Sequence, residues 1–388
     1  MSTRDFDVVV IGGGLVGSAC ALALDALSLR VALLSAPHAP AQAEAGWDSR
    51  IYAISAGNRD WLESLGVWSE LNPARVCDVQ DMRVYGDDLD AALHFSAYDA
   101  HQLHVCSIVE NRELQQALNQ RLTDSGVQQI AANATGLKRD NGINTLQLAD
   151  GSLLQAPLLT GADGANSWLR TQAGISVREH DYQQLGVVAN FRCELPHQHT
   201  ARQWFSRDGI LAWLPLPDQH ISMVWSCDRA QAHRLMQSTD EELATLVAAA
   251  GDMSLGKLTL VTPAAAFPLH QRTASALVQP GLALVGDAAH VIHPLAGQGV
   301  NLGFRDVITL CDTLAQREKM RSLADLMLLR RYERARKTDM LAQRWVTHGL
   351  FSLFASERPT LRTLRNQGLR LTDRYSLLKQ QLIRQASR

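Results

Sequence analysis

Apolar residues are grouped along this chain in two ways. Val8-Val9-Val10-Ile11 is an unbroken β-branched run, the pattern of a strand buried on both faces. It stops at Gly12-Gly13-Gly14. The alanine- and leucine-rich stretch from Ser18 to Leu29 then takes helical spacing, and Val31-Ala32-Leu33-Leu34 forms a second buried run. That order predicts a β-α-β unit at the head of the chain. Leu158-Leu159-Thr160 and Ala283-Leu284-Val285 have the same character. Between them the pattern changes: residues 186–194, 201–205, 210–216 and 220–227 alternate or run apolar, with Pro217-Asp218 as a turn. This predicts a mostly antiparallel sheet, which Met82–Tyr85 and Leu93–Phe95 join from an earlier excursion. Helical spacing returns over 300–314, 326–337, 340–355 and 360–385, the last two separated by Glu357-Arg358-Pro359.

The fold class that follows is α/β. A Rossmann-like nucleotide-binding domain is expected from 1–75, 105–180 and 275–325. An inserted, mostly antiparallel β-sheet domain comes from 76–104 and 181–274, and a basic helical C-terminal tail from 326–388. Trp204, Phe205, Trp213 and Trp225 fall on the expected sheet, where they either line an aromatic-substrate pocket or fill plain core.

Composition adds exclusions. Of 388 residues, 46% are hydrophobic and 20% charged, with 12 prolines, so a disordered or low-complexity chain is excluded. The net charge of −2 gives no reason to expect nucleic acid. Divided at Arg321, however, the chain carries 15 basic and 5 acidic residues on the C-terminal side and 22 against 34 on the other. Near-neutrality is thus the sum of an acidic body and a basic tail. Six cysteines are widely spread without a C-x-x-C, so neither a metal site nor a disulfide framework is signalled. Asp5 and Asp7 stand where a signal peptide would be basic, and the uncharged stretch from Val8 to Leu24 is broken by glycines, so a cytoplasmic protein is expected.

Gly12, Gly14 and Gly17 fill G-x-G-x-x-G, with Leu15 and Val16 between the last two, after a strand and opening a helix. The first glycine serves a tight turn, the second the approach of backbone N–H groups to a pyrophosphate, and the third close helix-to-strand packing. At the end of the second strand, where an acidic residue would take the ribose hydroxyls, the chain has Ser35. A serine makes one such bond but not a charge-assisted pair.

Two further motifs select the dinucleotide. Leu158 to Ser167 contains a strand ending in Asp163-Gly164, and Ala283 to His290 a strand ending in Gly286-Asp287, followed by His293-Pro294 through Gly303. In this order and at these separations the three elements resemble the group A flavoprotein aromatic hydroxylases, whose type member is para-hydroxybenzoate hydroxylase. Within that group, Asp48 to Ser55, Phe267-Pro268-Leu269, the His293 to Gly303 loop and Arg365 to Leu369 are similar to the ubiquinone-biosynthesis flavin hydroxylases. The likeness covers essentially the whole chain.

The resemblance implies FAD rather than NAD in the N-terminal site. It implies that Asp287, beside Gly286, bonds the ribityl hydroxyls, and that Arg50 and Arg112 lie near the flavin and its phosphates, though a solvated surface charge is the other reading of Arg50. Asp163 is associated with the pyrophosphate and with reductant binding. Gly297, Gln298, Gly299, Val300 and Asn301, at the start of the 300–314 helix, are candidates for the ring edge, where a positive helix end suits negative charge. His290 and His293 are read as structural rather than as metal ligands, for want of a third ligand. No second nucleotide-binding fingerprint appears, so NAD(P)H would act as a transient reductant. Oxygen would then be carried as a flavin C4a-hydroperoxide and transferred to a phenol ring. No residue is identified as a catalytic base.

The function implied is ring hydroxylation of a polyprenyl phenol in ubiquinone biosynthesis. A hydroxylase of a soluble aromatic compound and a flavin-binding scaffold in a biosynthetic complex remain as alternatives. The tail's basic residues, with Trp345, Phe351 and Phe354 beside them, suit a membrane surface or a partner protein, or else a helical layer with a solvated basic face. Replacing Ser35 with glutamate is expected to tighten FAD binding in a fluorescence titration. An unchanged affinity would mean that another group already holds the ribose.

Overall fold

The computed structural model describes residues 3–37, 46–86, 92–206, 209–292 and 299–338. Its first layer is a six-stranded sheet in the order Val278–Gln279, Leu282–Leu284, Leu158–Gly161, Val8–Ile11, Val31–Ser35 and Gln128–Ala131. All neighbours are parallel except the first pair. Every residue of Val8–Ile11, Leu158–Gly161 and Leu282–Leu284 is buried, as the uninterrupted apolar runs require.

The helix after the first strand is Leu15–Asp25, capped by Gly14. It therefore begins three residues earlier than the apolar spacing indicated. The cause is the turn at Gly12, whose φ of +116° sends the chain straight off the strand into the helix. A Cβ at Gly17 would run into the carbonyl oxygen of Gly12, so the first helical turn rests directly on the strand end. The helices Asn111–Thr123 and Gly299–Ala315 pack against Leu15–Asp25.

The second layer is a nine-stranded sheet: His290–Val291, Ala265–Ala274, Val177–Cys193, His220–Asp228, Gly209–Leu216, Thr200–Ser206, Asp81–Tyr85 and Ala92–Ser96, with Leu258–Leu260 paired separately to Val177–Cys193. It is antiparallel throughout except where Thr200–Ser206 runs parallel to Asp81–Tyr85. Two helices that the strand pattern passed over, Arg229–Gln237 and Asp240–Ala250, cover one face. The second announces itself through a capping box in which Thr239 and Glu242 satisfy each other's backbone N–H groups. Leu235, Leu243 and Val247 of these helices bury Trp204, Trp213 and Trp225. The Trp204 ring meets Trp213 edge-on at 4.7 Å and stacks on Tyr85 at 5.3 Å. Phe205 belongs to a small cluster with Val84, Leu93 and Ile210. All four aromatics are buried in core clusters.

Two smaller sheets complete the chain. Ile51–Ser55, Cys106–Glu110 and Cys77–Val79 form one, and Thr3–Asp5, Leu153–Ala156, Ile143–Leu148 and Ala134–Asp140 the other. At the C-terminal end residues 326–338 are helical. Leu328, Leu329 and Tyr332 are buried in the same core as Val8–Ile11. The Tyr332 hydroxyl donates to the Leu284 carbonyl at 2.7 Å, and Leu277 N–H donates to the Glu333 carboxylate at 2.9 Å. The first part of the expected C-terminal region, 326–338, thus packs on the nucleotide-binding layer. The helices expected over 340–355 and 360–385 lie outside the described residues. Among the described residues no helix is long and apolar enough to cross a membrane.

Gly17→Ala is expected to lower stability by about 1–3 kcal/mol in urea unfolding, because the methyl group meets backbone. Gly14→Ala, whose added Cβ would meet nothing within 4 Å, should unfold like the parent protein.

Candidate functional site

The carboxyl ends of three adjacent parallel strands, Val8–Ile11, Leu158–Gly161 and Leu282–Leu284, open on one side of the sheet, where α/β folds bind ligands. The loops that follow them touch. A Cβ on Gly12 would strike the Ala162 carbonyl, and one on Gly286 would lie 3.1 Å from Val16. Gly303, on the helix Gly299–Ala315, is closed off by the same Val16 side chain and by Gly286. Val16 is therefore a wedge between the glycine loop and the Gly286-Asp287 turn, and Leu15 is buried in the core. Neither side chain is turned outward, so a role for Leu15 or Val16 in binding rests on the backbone.

The glycine loop is held from below. Gly13 O accepts hydrogen bonds from Ser18 Oγ and from Gln115 Nε2, each at 3.2 Å. Gln115, on the helix Asn111–Thr123, went unnoticed in the sequence because its partner is about a hundred residues away. Above Gly14 there is open space. Ser35 lies alongside the loop, its Cβ 2.7 Å from where a Cβ on Gly13 would stand.

Asp163 and Asp287 stand just beyond the ends of two adjacent strands. Asp163 Oδ2 accepts from Leu169 N at 3.0 Å, while its Oδ1 is buried with no partner among the described residues. Asp287 is exposed to solvent, yet both of its neighbours are buried. Crowding by protein raises its carboxyl above the ordinary value, and the charge of Asp306 adds to this, against His290 and Arg50. Among the described residues none donates a hydrogen bond to it. The two loops are tied together by Arg170, which donates to the Ala288 carbonyl at 2.9 Å and to the Ala165 carbonyl at 2.8 Å. Arg170 carries no motif that would have singled it out.

The two predicted arginines part company. Arg50 is exposed and close enough to influence Asp287. Arg112 instead anchors residues 46–48: its guanidinium donates to the Gly46 carbonyl at 2.6 Å and its N–H to Asp48 at 3.0 Å. Beside it the fully buried Glu110 pairs with both Arg112 and Arg75, and Arg75 lies over the Trp47 ring at 4.0 Å. Arg112 Nη2 is thus held by residues 46 and 110.

The helix Gly299–Ala315 begins with backbone N–H groups that have no partner within the helix, and among the described residues nothing lies within 4 Å of a Cβ placed on Gly299. Val300 is buried. Asn301, expected at a ring edge, is buried and turned inward. Its Oδ1 accepts from Ser55 N at 3.0 Å and Asn58 Nδ2 at 2.8 Å, and its Nδ2 donates to the Ala53 carbonyl at 2.7 Å. Gly297, Gln298 and His293 lie outside the described residues. His290 is buried against Asp306 at 2.7 Å.

The cradle suits FAD: a backbone loop with room over Gly14 for a pyrophosphate, a buried carboxylate oxygen on Asp163 without a partner, and an accessible carboxylate on Asp287. Residues 5–346 match the family described as FAD binding domain. The chain is 36% identical to the 3-demethoxyubiquinol 3-hydroxylase of Escherichia coli K12, over 100% of this chain and 99% of that protein. It is 34% identical to the ubiquinone hydroxylase UbiL of Rhodospirillum rubrum, over 98% of this chain and 89% of the relative. In three dimensions it resembles the p-nitrophenol 4-monooxygenase PnpA of Pseudomonas putida DLL-E4, with a TM-score of 0.80 and 16% identity over 100% and 99% of the two chains. Sequence kinship end to end, on the fold of the group A flavin monooxygenases, makes this chain a member of the ubiquinone-biosynthesis family of FAD-dependent hydroxylases.

Proposed function

We propose that the protein hydroxylates the aromatic ring of a polyprenylated quinone precursor, consuming O2 and two electrons from NAD(P)H. Ring C–H, O2, NAD(P)H and a proton become ring C–OH, NAD(P)+ and water. The observation that carries this reading is the 36% identity to a demethoxyubiquinol hydroxylase over all of both chains, joined to a three-loop cradle that suits FAD. Bound FAD supplies the redox chemistry with oxygen, and no side-chain nucleophile is needed.

The chain's own residues bind, orient and exclude water. In this reading the N–H groups around Gly14 hold the pyrophosphate, with Ser35 at the ribose. Asp163 and Asp287 accept from hydroxyls, Arg50 offsets negative charge beside Asp287, and the start of Gly299–Ala315 favours negative charge at the ring. The nine-stranded sheet serves as the roof. Two attachments support that role: Ala265–Ala274 pairs with His290–Val291 just after the Gly286-Asp287 turn, and Asn190 donates to the Asp48 carbonyl at 2.8 Å. A roof tied down at two points near one edge of its sheet keeps water from the ring, which limits loss of oxygen as peroxide. The domain limits given above and the basic region beyond 338 as a contact for a membrane surface or partner proteins belong to the same proposal, as does a location at the inner face of the membrane.

Deleting the gene is expected to make one quinone precursor lacking a ring hydroxyl accumulate, identified by mass spectrometry, and the purified yellow protein should take up oxygen when reductant is added. A strain that accumulates none would refute the proposed substrate. For the tail, flotation with anionic liposomes should recover the full chain and lose a chain ending at Ala355. Equal recovery would remove the residues beyond 355 from membrane binding.

A further inference from the structure

Beneath the Gly286-Asp287 turn lies a buried charge cluster that the reaction does not itself require. Asp306, on the helix Gly299–Ala315, is fully buried and receives three donors. Gly286 N and His290 Nε2 reach its Oδ2 at 2.9 and 2.7 Å, and Arg336 Nε reaches its Oδ1 at 2.6 Å. Burial pushes the Asp306 carboxyl up, but His290, Arg336 and the Gly286 N–H outweigh it and hold it below the ordinary range. His290 and Arg336 are 3% and 1% exposed. Ionic clusters this dry stabilise little more than apolar side chains of the same volume would, so stability does not account for this one.

Its geometry gives another account. Gly286 and His290 are the two ends of the turn that carries Asp287, and Gly286 sits at φ +60°. One carboxylate therefore grips both ends, and Arg336, reaching in from the 326–338 helix, fixes the carboxylate. We propose that Arg336 is a positioning residue for FAD, setting through Asp306 the turn that presents Asp287 to the cofactor. The proposal rests on the assignment of Asp287 to the FAD site.

The test uses the full-length protein, stripped of FAD and titrated with FAD by fluorescence quenching, with visible circular dichroism of the bound flavin. Arg336→Met is expected to raise the Kd for FAD about tenfold or more and to alter the flavin spectrum, while the near-ultraviolet spectrum of the apoprotein is kept. Arg336→Lys should fall between the two proteins. Asp306→Asn should weaken binding as well, and combining it with Arg336→Met should add little, since both break one network. A folded Arg336→Met protein with parental affinity and spectrum overturns the proposal, as does a lysine variant no better than the methionine one. If Arg336→Met does not fold, Arg336→Lys decides: weaker FAD binding and a changed spectrum support the proposal, and parental values overturn it. Asp287→Asn separates the two assignments. If it binds FAD as the parent does, the placing of Asp287 has failed; if it weakens binding where Arg336→Met does not, the positioning role has failed.

Discussion

The contact on which the site depends is the seating of the helix Leu15–Asp25 on the end of the strand Val8–Ile11, with no side chain between Gly17 and the Gly12 carbonyl. Any larger residue would lift the helix from the sheet. With the helix seated, Val16 falls into the gap between Gly286 and Gly303, so one backbone approach sets the spacing of the glycine loop, the Gly286-Asp287 turn and the helix Gly299–Ala315. The parallel sheet supplies the rest, because it puts three strand ends side by side. Ligand geometry here is a by-product of packing geometry.

What could be read from the sequence was what is local. Buried parallel strands, alternating antiparallel ones, the glycine motif and the two glycine–aspartate pairs are patterns within ten or so residues, and they carry the fold class and the general place of the cofactor. Side-chain partners across the fold left no such trace. Asn301 is joined to Ser55 and Asn58 across about 245 residues, so nothing near it in the chain announced that its amide was turned inward. Arg112 stands in a motif, but its contact with the Glu110–Arg75 pair could not be read there, because only the folded chain brings Glu110 and Arg75 together. The tryptophans followed the same logic: alternation fixed their strand but not which face two unread helices would cover.

Charge is distributed to match. Several arginines sit inside or at the edge of the body, at 75, 112, 170 and 336, each engaged with carbonyls or carboxylates at a junction between elements. A guanidinium bridges two loops better than an ammonium because its donors diverge in a fixed plane. Among the described residues beyond 321, therefore, the basic charge is not all solvated. At least one of those cations, Arg336, belongs to the interior.

The parallel pairing of Thr200–Ser206 with Asp81–Tyr85 has a consequence for how the molecule comes to exist. These strands are separated by more than a hundred residues, and the intervening chain builds much of the nucleotide-binding layer. Loop closure over that length is entropically costly, and contacts of such separation form late. The nucleotide-binding sheet is no more local, because Leu158–Gly161 pairs with Val8–Ile11 on one side and with Leu282–Leu284 on the other across separations as long. The strand that completes the cradle follows Ala265–Ala274 in the chain, so the two layers close together rather than one after the other.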